Sequence, residues 1–577
     1  MRKEQRDYLF LALFSLLVIG VNTIWSALNQ RPPWGDEPGH LIKTLEYFYP
    51  LKDVDISTFL GILSKPELYP PLAHFITVWF YFWGGNSYQI ALLSLQIFVP
   101  IFIFSLFLTI RHFWNREIAW AGVILGGTSP FFLEYTRQYL MDMPLLAFTA
   151  LGFYLLIKTE GFKNRQFSVW LGAIFGLAML EKWTVLFFLV PAILWTAVPV
   201  IWQTLKKTPL LIIGVFISLL CFILLLRVME QPGFEPQKLF WSLFLPVLVI
   251  FIFSLHLAAR KLKENDFFSA ANLVDSANLG IIICLPWYLY NLIAIIDMEH
   301  FLDRTFPINP LFNLNFYLKV WSSSFTLALP LAMTGIIFSL IRRNQAILLT
   351  ISFLAALLIL IFNIQADRYF LPAVFFLVPL AIFWTRPFLP KAVFLITFSL
   401  IGLWQLTGWL FLNHSSLGLI RARSSSGYAP ICILTSEPPD RANYQTIAQI
   451  ADDLGNNFKN ASIKKFPGFW ILIHDEKPQA NIQGQQQISF QDTPFYYLYK
   501  NRQNQKIDFW RSLHTPGIPS AELKREKLLY PPDYLVVFDE LSDNNVNPEK
   551  ETGYSCALLK IYPQTGNFQI KIYRVLR

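Results

Sequence analysis

Apolar runs of about 20 residues recur through the first 412 positions, and each is long enough to cross a bilayer as a helix. No other feature restricts the fold as much, because a water-soluble core has no room for so many uniformly apolar helices. Spans are predicted at residues 8–29, 87–110, 118–134, 141–157, 167–181, 183–203, 209–227, 239–257, 271–290, 321–341, 346–364, 370–385 and 392–412. Composition agrees: 15% of the chain is charged, against about 25% in an ordinary soluble protein. The opening MRKEQRDYLFLALFSLLVIGVNTIW starts basic, as a signal peptide does. Its apolar stretch is long and lacks a small-x-small cleavage site, so it reads as an uncleaved first span. The expected fold class is an all-α polytopic membrane protein with about thirteen transmembrane helices.

The net charge of +9 is topogenic and does not mark a nucleic-acid face. Alternate short connections collect the basic residues: Arg2, Lys3 and Arg6; Arg111 and Arg116; Lys158, Lys163 and Arg165; Lys206 and Lys207; Arg260, Lys261 and Lys263; Arg342 and Arg343; Arg386 and Lys391. Lys and Arg in such loops set orientation. The N-terminus is expected to be cytoplasmic and the C-terminus outside, with membrane lipids, and no nucleic acid, as surroundings.

From about residue 413 the chain turns polar. Short apolar runs, ICIL (431–434), FWILI (469–473) and YLVVF (534–538), alternate with the helix-like NYQTIAQIADDLGNNF (443–458). The pattern predicts a transmembrane domain over 1–412, with a first outer loop at 30–86, and a small extracytoplasmic α/β domain over 413–577. Cys221 and Cys284 fall in spans. Cys432 and Cys556 fall in the outer domain, where an oxidising compartment leaves a disulfide open as one of two expectations.

Once topology has accounted for the inner charges, a second set stands out near the outer face: Asp36, Glu37 and His40 in WGDEPGHL; Lys65 and Glu67 in SKPELYPPLAHF; Glu134, Arg137 and Asp142; Glu181 and Lys182; Arg304; Asp367 and Arg368. Ionisable groups at the edge of a span are costly unless paired, solvated or functional. Each has an ordinary alternative. Lys182 and Arg368 could snorkel to headgroups, Asp142 before a proline could cap a helix, and His40 could be an interfacial histidine. Adjacent Asp36 and Glu37 repel one another and are harder to explain that way. Carboxylates suit proton removal from an attacking hydroxyl or amine. Arg and Lys suit a departing phosphate.

In this order the motifs resemble those of the GT-C membrane glycosyltransferases, specifically the protein O-mannosyltransferase and aminoarabinose-transferase superfamily. GDEPGH after the first span is similar to the family's Asp-Glu motif and YPPLAHF to its Pro-Pro-Leu motif. TRQYLMDMPLLAF is similar to its Arg…Asp-x-Pro stretch, and PWYLYN and DRYFLP to its later motifs. The resemblance implies a GT-C fold and a catalytic group of Asp36, Glu37 and Asp142. It also implies that Arg137, Lys182, Arg368, Tyr369 and Tyr288 bind substrate. A divalent metal, with Glu37, His40 and Glu67 as ligands, is a further expectation, although mixed N/O donors do not identify an ion.

The implied activity is transfer of a sugar from a polyprenyl-phosphate carrier to a lipid, glycan or protein acceptor, with inversion, on the outer face of a bacterial plasma membrane. A flippase of lipid-linked glycans would place charge deep within several spans, whereas here it gathers at one face. A non-catalytic envelope-assembly protein is the other alternative, and the intact Asp-Glu, Asp and Arg-Tyr motifs speak against it.

Overall fold

The computed structural model describes residues 3–29, 33, 36–63, 67, 69–207, 245–291, 310, 314, 317, 328–342, 346–362, 367–411, 421–422, 431–432, 469–474, 510–515, 534–540, 547–563 and 568–576. They group into two compact units: Met1–Ile24, Ser57–Ile76 and Leu92–Pro438 form the first, and Trp25–Ile56, Thr77–Ala91 and Pro439–Arg577 form the second.

Helices dominate the chain up to residue 411. α1 (Lys3–Leu28) is followed by α2 (Glu37–Lys52), α3 (Ile56–Leu63), α4 (Leu72–Gly84), α5 (Tyr88–Leu95), α6 (Phe98–Phe113), α7 (Arg116–Gly127) and α8 (Pro130–Thr136). Next come α9 (Asp142–Lys158), α10 (Arg165–Met179), α11 (Val185–Lys207), α12 (Leu245–Glu264), α13 (Phe268–Tyr290), α14 (Ala328–Arg342), α15 (Ile347–Ile361), α16 (Ala373–Ile382) and α17 (Lys391–Thr407). Among the described residues five helices are long and apolar enough to cross a membrane: Lys3–Leu28, Tyr88–Phe113, Val185–Lys206, Phe268–Tyr290 and Lys391–Leu410. The span expected at 209–227, residues 239–244 of that at 239–257, residues 321–327 of that at 321–341 and the helix-like 443–458 lie outside the described residues.

Two boundaries matter for the site. The span expected to run to residue 181 ends as a helix at Met179, and Glu181 and Lys182 fall in a turn before α11. The span expected over 118–134 is broken after Gly127, and α8 restarts at Pro130 under a Ser129 cap whose side chain accepts from the Phe132 N–H. The restart places Arg137 just past the end of α8. Proline at the first helical position costs nothing there, since its missing N–H would have had no partner.

Small residues set a close helix crossing between α10 and α13. A Cβ at Gly172 of α10 would overlap the Ser276 carbonyl of α13, and one at Gly176 would lie 2.9 Å from the Gly280 carbonyl oxygen. Gly172 and Gly176 face Ser276 and Gly280 in two four-residue steps, the pattern that lets membrane helices approach backbone to backbone. The seam fixes the C-terminal end of α10, and therefore the turn that follows it. At its far end the Tyr288 hydroxyl donates to the Met179 carbonyl at 2.7 Å.

The second unit combines the helix α2 with a sheet. Phe48 of α2 packs edge-on against Tyr81 and Phe82, at ring separations of 5.5 and 5.4 Å. The strands are β3 (Phe469–His474), β4 (Trp510–Thr515), β5 (Tyr534–Glu540), β6 (Cys556–Pro563) and β7 (Phe568–Val575), in the order β4-β3-β5-β7-β6. β3 runs parallel to both β4 and β5, while β7 is antiparallel to β5 and β6. β5 is central, and its alternate residues Leu535 and Val537 are fully buried, as a pleat with one covered face requires. Two of the apolar runs picked out in the sequence are strands β3 and β5. The third, ICIL, supplies only the short β2 (Ile431–Cys432), antiparallel to β1 (Arg421–Ala422) within the first unit. The Cys556 thiol is free and donates to the Tyr554 carbonyl, and burial pushes its pKa up to about 11.

Candidate active site

The turn between α10 and α11 carries the densest buried chemistry. Glu181 and Lys182 both donate their backbone N–H to Ala178, and Val185 donates to Lys182, so α10 closes and α11 opens within five residues. The turn also accepts at the Leu180 carbonyl from the Leu72 N–H, just after the YPP stretch. Thus held, Lys182 is buried, and its Nζ donates to Asp142 Oδ1 at 2.6 Å. Asp142 is the first residue of α9. Met141 occupies the cap position, and no side chain caps the helix. The helix N-terminus favours a carboxylate there, but the oxygen is directed to Lys182 and not to a backbone N–H. Lys182 is therefore an ion-paired interior lysine and does not snorkel.

The same ammonium stands 4.5 Å from the ring centre of Tyr369, and the Arg368 guanidinium lies 5.6 Å from that ring centre. Both residues belong to the 3-10 turn Asp367–Phe370 that precedes α16. Asp142, Lys182, Arg368 and Tyr369, separated by up to 227 positions in the chain, are thus brought to one place. Tyr288 contributes from the seam, its hydroxyl committed to Met179.

Glu181 adds a second carboxyl to this neighbourhood. It is fully buried, and neither of its oxygens makes a well-formed hydrogen bond; the Thr184 hydroxyl is in the same condition. Burial raises the Glu181 carboxyl well above the usual carboxylate range; Lys182 pulls it back, and Asp142 pushes it further up. A buried carboxylate beside Asp142 is expensive to charge, so the surroundings of Glu181 oppose its ionisation.

Arg137 is buried at the end of α8, with its Nε donating to Asn22 Oδ1 at 3.0 Å. Asn22, on α1, donates in turn to Thr136 Oγ1 at 2.8 Å and Gln96 Oε1 at 3.2 Å, and Gln96 donates to the Thr136 carbonyl at 2.6 Å. Sequence reasoning found Arg137 and missed Asn22, Gln96 and Thr136. The available signal was an amide inside each of two apolar spans, where a polar side chain normally has a partner.

In the second unit, Asp36 caps α2 with its carbonyl accepting from the His40 N–H, and makes no side-chain cap bond. Glu37 is buried in the first turn, and its Oε1 accepts from the Tyr88 hydroxyl at 2.7 Å. Glu37 therefore has a structural function that the sequence did not show: an anion at a helix N-terminus that holds a tyrosine. His40 is buried in the same helix. Glu67, in the first unit, donates its backbone N–H to Asn291 Oδ1 at 2.6 Å. Among the described residues no group of three or more His, Cys, Asp or Glu side chains could hold a metal ion, and Glu37, His40 and Glu67 are not such a group.

Residues 66–226 match the family model of dolichyl-phosphate-mannose-protein mannosyltransferases. That segment includes Glu67, Arg137, Asp142, Glu181 and Lys182. The match points to the same family as the resemblance drawn from the motifs, over residues 66–226 of the chain. Three solved structures align with most of the chain. ArnT from Cupriavidus metallidurans bound to undecaprenyl phosphate is 12% identical, with 98% of this chain and 97% of that chain covered and a TM-score of 0.49. The Archaeoglobus fulgidus oligosaccharyltransferase in complex with Zn and sulfate is 12% identical, covering 96% and 72%, with a TM-score of 0.44. The same organism's AglB with an inhibitory peptide and a dolichol-phosphate is 13% identical, covering 96% and 74%, with a TM-score of 0.46. No curated protein matches the chain.

Proposed function

We propose that the chain is an integral-membrane glycosyltransferase that moves one sugar from a polyprenyl-phosphate carrier to an acceptor on the outer face of a bacterial plasma membrane. The observation that carries this reading is the buried Lys182–Asp142 pair set against Tyr369 and Arg368, two of the four lying inside the family match. Residues 1–412 form the catalytic membrane domain and 413–577 an extracytoplasmic domain, with the N-terminus cytoplasmic.

In the proposed reaction the acceptor loses the proton of its hydroxyl or amine to a carboxylate, and Asp36 is assigned that role by its motif. The freed electron pair attacks the anomeric carbon from the face opposite the phosphate, and the bond from that carbon to the phosphate oxygen breaks with inversion. The bonding pair leaves with the oxygen, so the polyprenyl phosphate gains negative charge. Lys182 and Arg368 stabilise that charge, Arg368 through a planar fork that suits phosphate, and Asp142 holds Lys182 in place. Arg137 is a third cation for the donor. Tyr369 offers its ring to Lys182, and Tyr288 steadies the end of α10. Glu37 orders the start of α2. No step is routed through a metal.

The test is turnover of a polyprenyl-phosphate sugar by the purified full-length chain. Asp36→Asn is expected to lower transfer by about 10²–10⁴-fold, the usual share of a general base, while donor binding persists. Normal turnover by Asp36→Asn would remove Asp36 from the mechanism. Mass spectrometry of envelope glycolipids and glycoproteins, with and without the gene, identifies the acceptor by the sugar that disappears.

A further inference from the structure

At the end of the first unit where the basic loops gather, α1, α7 and α17 leave a groove of about 550 Å³. Its walls are apolar, including Leu13 and Leu17 from α1, Trp120 from α7 and Leu395 from α17, and its rim carries Arg116 and Lys391. Leu13 and Leu17 are exposed, on a face of a spanning helix that meets acyl chains.

We infer that this groove is a binding site for an anionic glycerophospholipid, one acyl chain lying along Leu13, Leu17 and Leu395 and the headgroup phosphate meeting Lys391 and Arg116. Charge complementarity selects the occupant. Lys391 Nζ spends one donor on Glu117 at 2.6 Å, and Arg116 gives Nε and Nη2 to Asp7; 63% of the Lys391 side chain and 46% of the Arg116 side chain remain exposed. Arg111, paired with Glu4 and Asp7, and Arg386, whose charge acts on Glu117, join them, so four cations face the three carboxylates Glu4, Asp7 and Glu117. A basic rim above an apolar trough attracts anionic headgroups, and a zwitterionic headgroup gains less. Trp120 fits the same picture: its Nε1–H donates to Asp7 at 3.3 Å, while its ring faces the apolar wall.

The test is native mass spectrometry of the full-length protein in a neutral detergent, titrated separately with phosphatidylglycerol and with phosphatidylcholine of identical chains. Wild type is expected to retain one phosphatidylglycerol with about tenfold preference, the size of one charge-assisted contact. Lys391→Gln should erase most of that preference, and Leu17→Trp, by filling the trough, should remove retention of both lipids. Leu395→Trp fills the opposite wall and serves if Leu17→Trp fails to fold. Equal retention of the two lipids by wild type overturns the proposal, as does phosphatidylglycerol binding that survives both trough-filling variants. One-for-one displacement of phosphatidylglycerol by a polyprenyl phosphate also overturns it, reassigning the groove to the carrier. Loss or survival of sugar transfer plays no part in the outcome, so this test stands apart from that of the enzymatic reading.

Discussion

Two lysine–carboxylate pairs in the first unit have the same separation and opposite surroundings. Lys182 meets Asp142 at 2.6 Å with side chains 5% and 1% exposed, whereas Lys391 meets Glu117 at 2.6 Å with 63% and 23% exposed. Distance alone would rank them as equals. Water separates them: the exposed pair gains little, because solvent already stabilises each charge, and the buried pair is costly to assemble and more costly to break. The buried pair stands next to a tyrosine ring and an arginine, where a plain apolar contact would cost less.

The largest expected effect follows directly. Lys182→Met strands the Asp142 charge and should cost about 3–5 kcal/mol of stability, measured by thermal or chemical unfolding in detergent. The double variant Asp142→Asn with Lys182→Met should recover most of that stability and none of the sugar transfer. If Lys182→Met is as mild as Lys391→Met, the comparison collapses.

Arg368→Ala sharpens the same contrast on the phosphate side. Donor affinity should fall roughly tenfold to a hundredfold, as for a lost charge-assisted contact of about 1.5–3 kcal/mol, and Arg368→Lys should recover part of it. Unchanged donor affinity would make Arg368 a membrane anchor.

Asn22→Leu removes the amide that accepts from Arg137 and donates to Thr136 and Gln96. Leaving those buried groups short of a partner costs about 1–3 kcal/mol. Stability and donor KM should both move, and Asn22→Gln should rescue less than half of either. A variant that melts normally would show that the network is dispensable. The smallest effect belongs to the exposed pair: Lys391→Met should change stability by less than about 1 kcal/mol and leave turnover as it was.

The sequence revealed several of the spans, where the apolar signal is long and uniform. The run expected at 141–157 is α9, Asp142–Lys158, and that at 271–290 is α13, Phe268–Tyr290. It revealed the ends of elements less well. The helical pattern carried the expected span to residue 181, yet the helix stops at Met179, and the two residues that matter most for the turn fall beyond it. Helices α2, α3 and α4, in the stretch read as the first outer loop, were hidden by their mixture of aromatic, proline and polar residues. Strands β4, β6 and β7 were passed over, although FQIKIYRV alternates as a half-buried strand does. Among the site residues, local motifs pointed to Asp142, Lys182 and Arg368, but no motif can show that Asn22 and Arg137, 115 positions apart, share a hydrogen bond. Glu37 shows the opposite limit, since its bond to Tyr88 gives a structural reason for a residue that its motif marks as catalytic.

The glycine–serine seam between α10 and α13 has a consequence for how the protein is made. Gly172 is synthesised about a hundred residues before the Ser276 backbone against which it packs. During translation α9, α10 and α11 therefore enter the membrane with one face of α10 still open to lipid, and the turn bearing Glu181 and Lys182 is not yet locked by Tyr288. Membrane helices associate after insertion, chiefly by close packing, so this region matures in two stages separated by the time needed to translate α12 and α13. A ribosome that stalls before α13 leaves a nascent chain in which the Leu72 bond to the Leu180 carbonyl is already possible and the Tyr288 bond to Met179 is not.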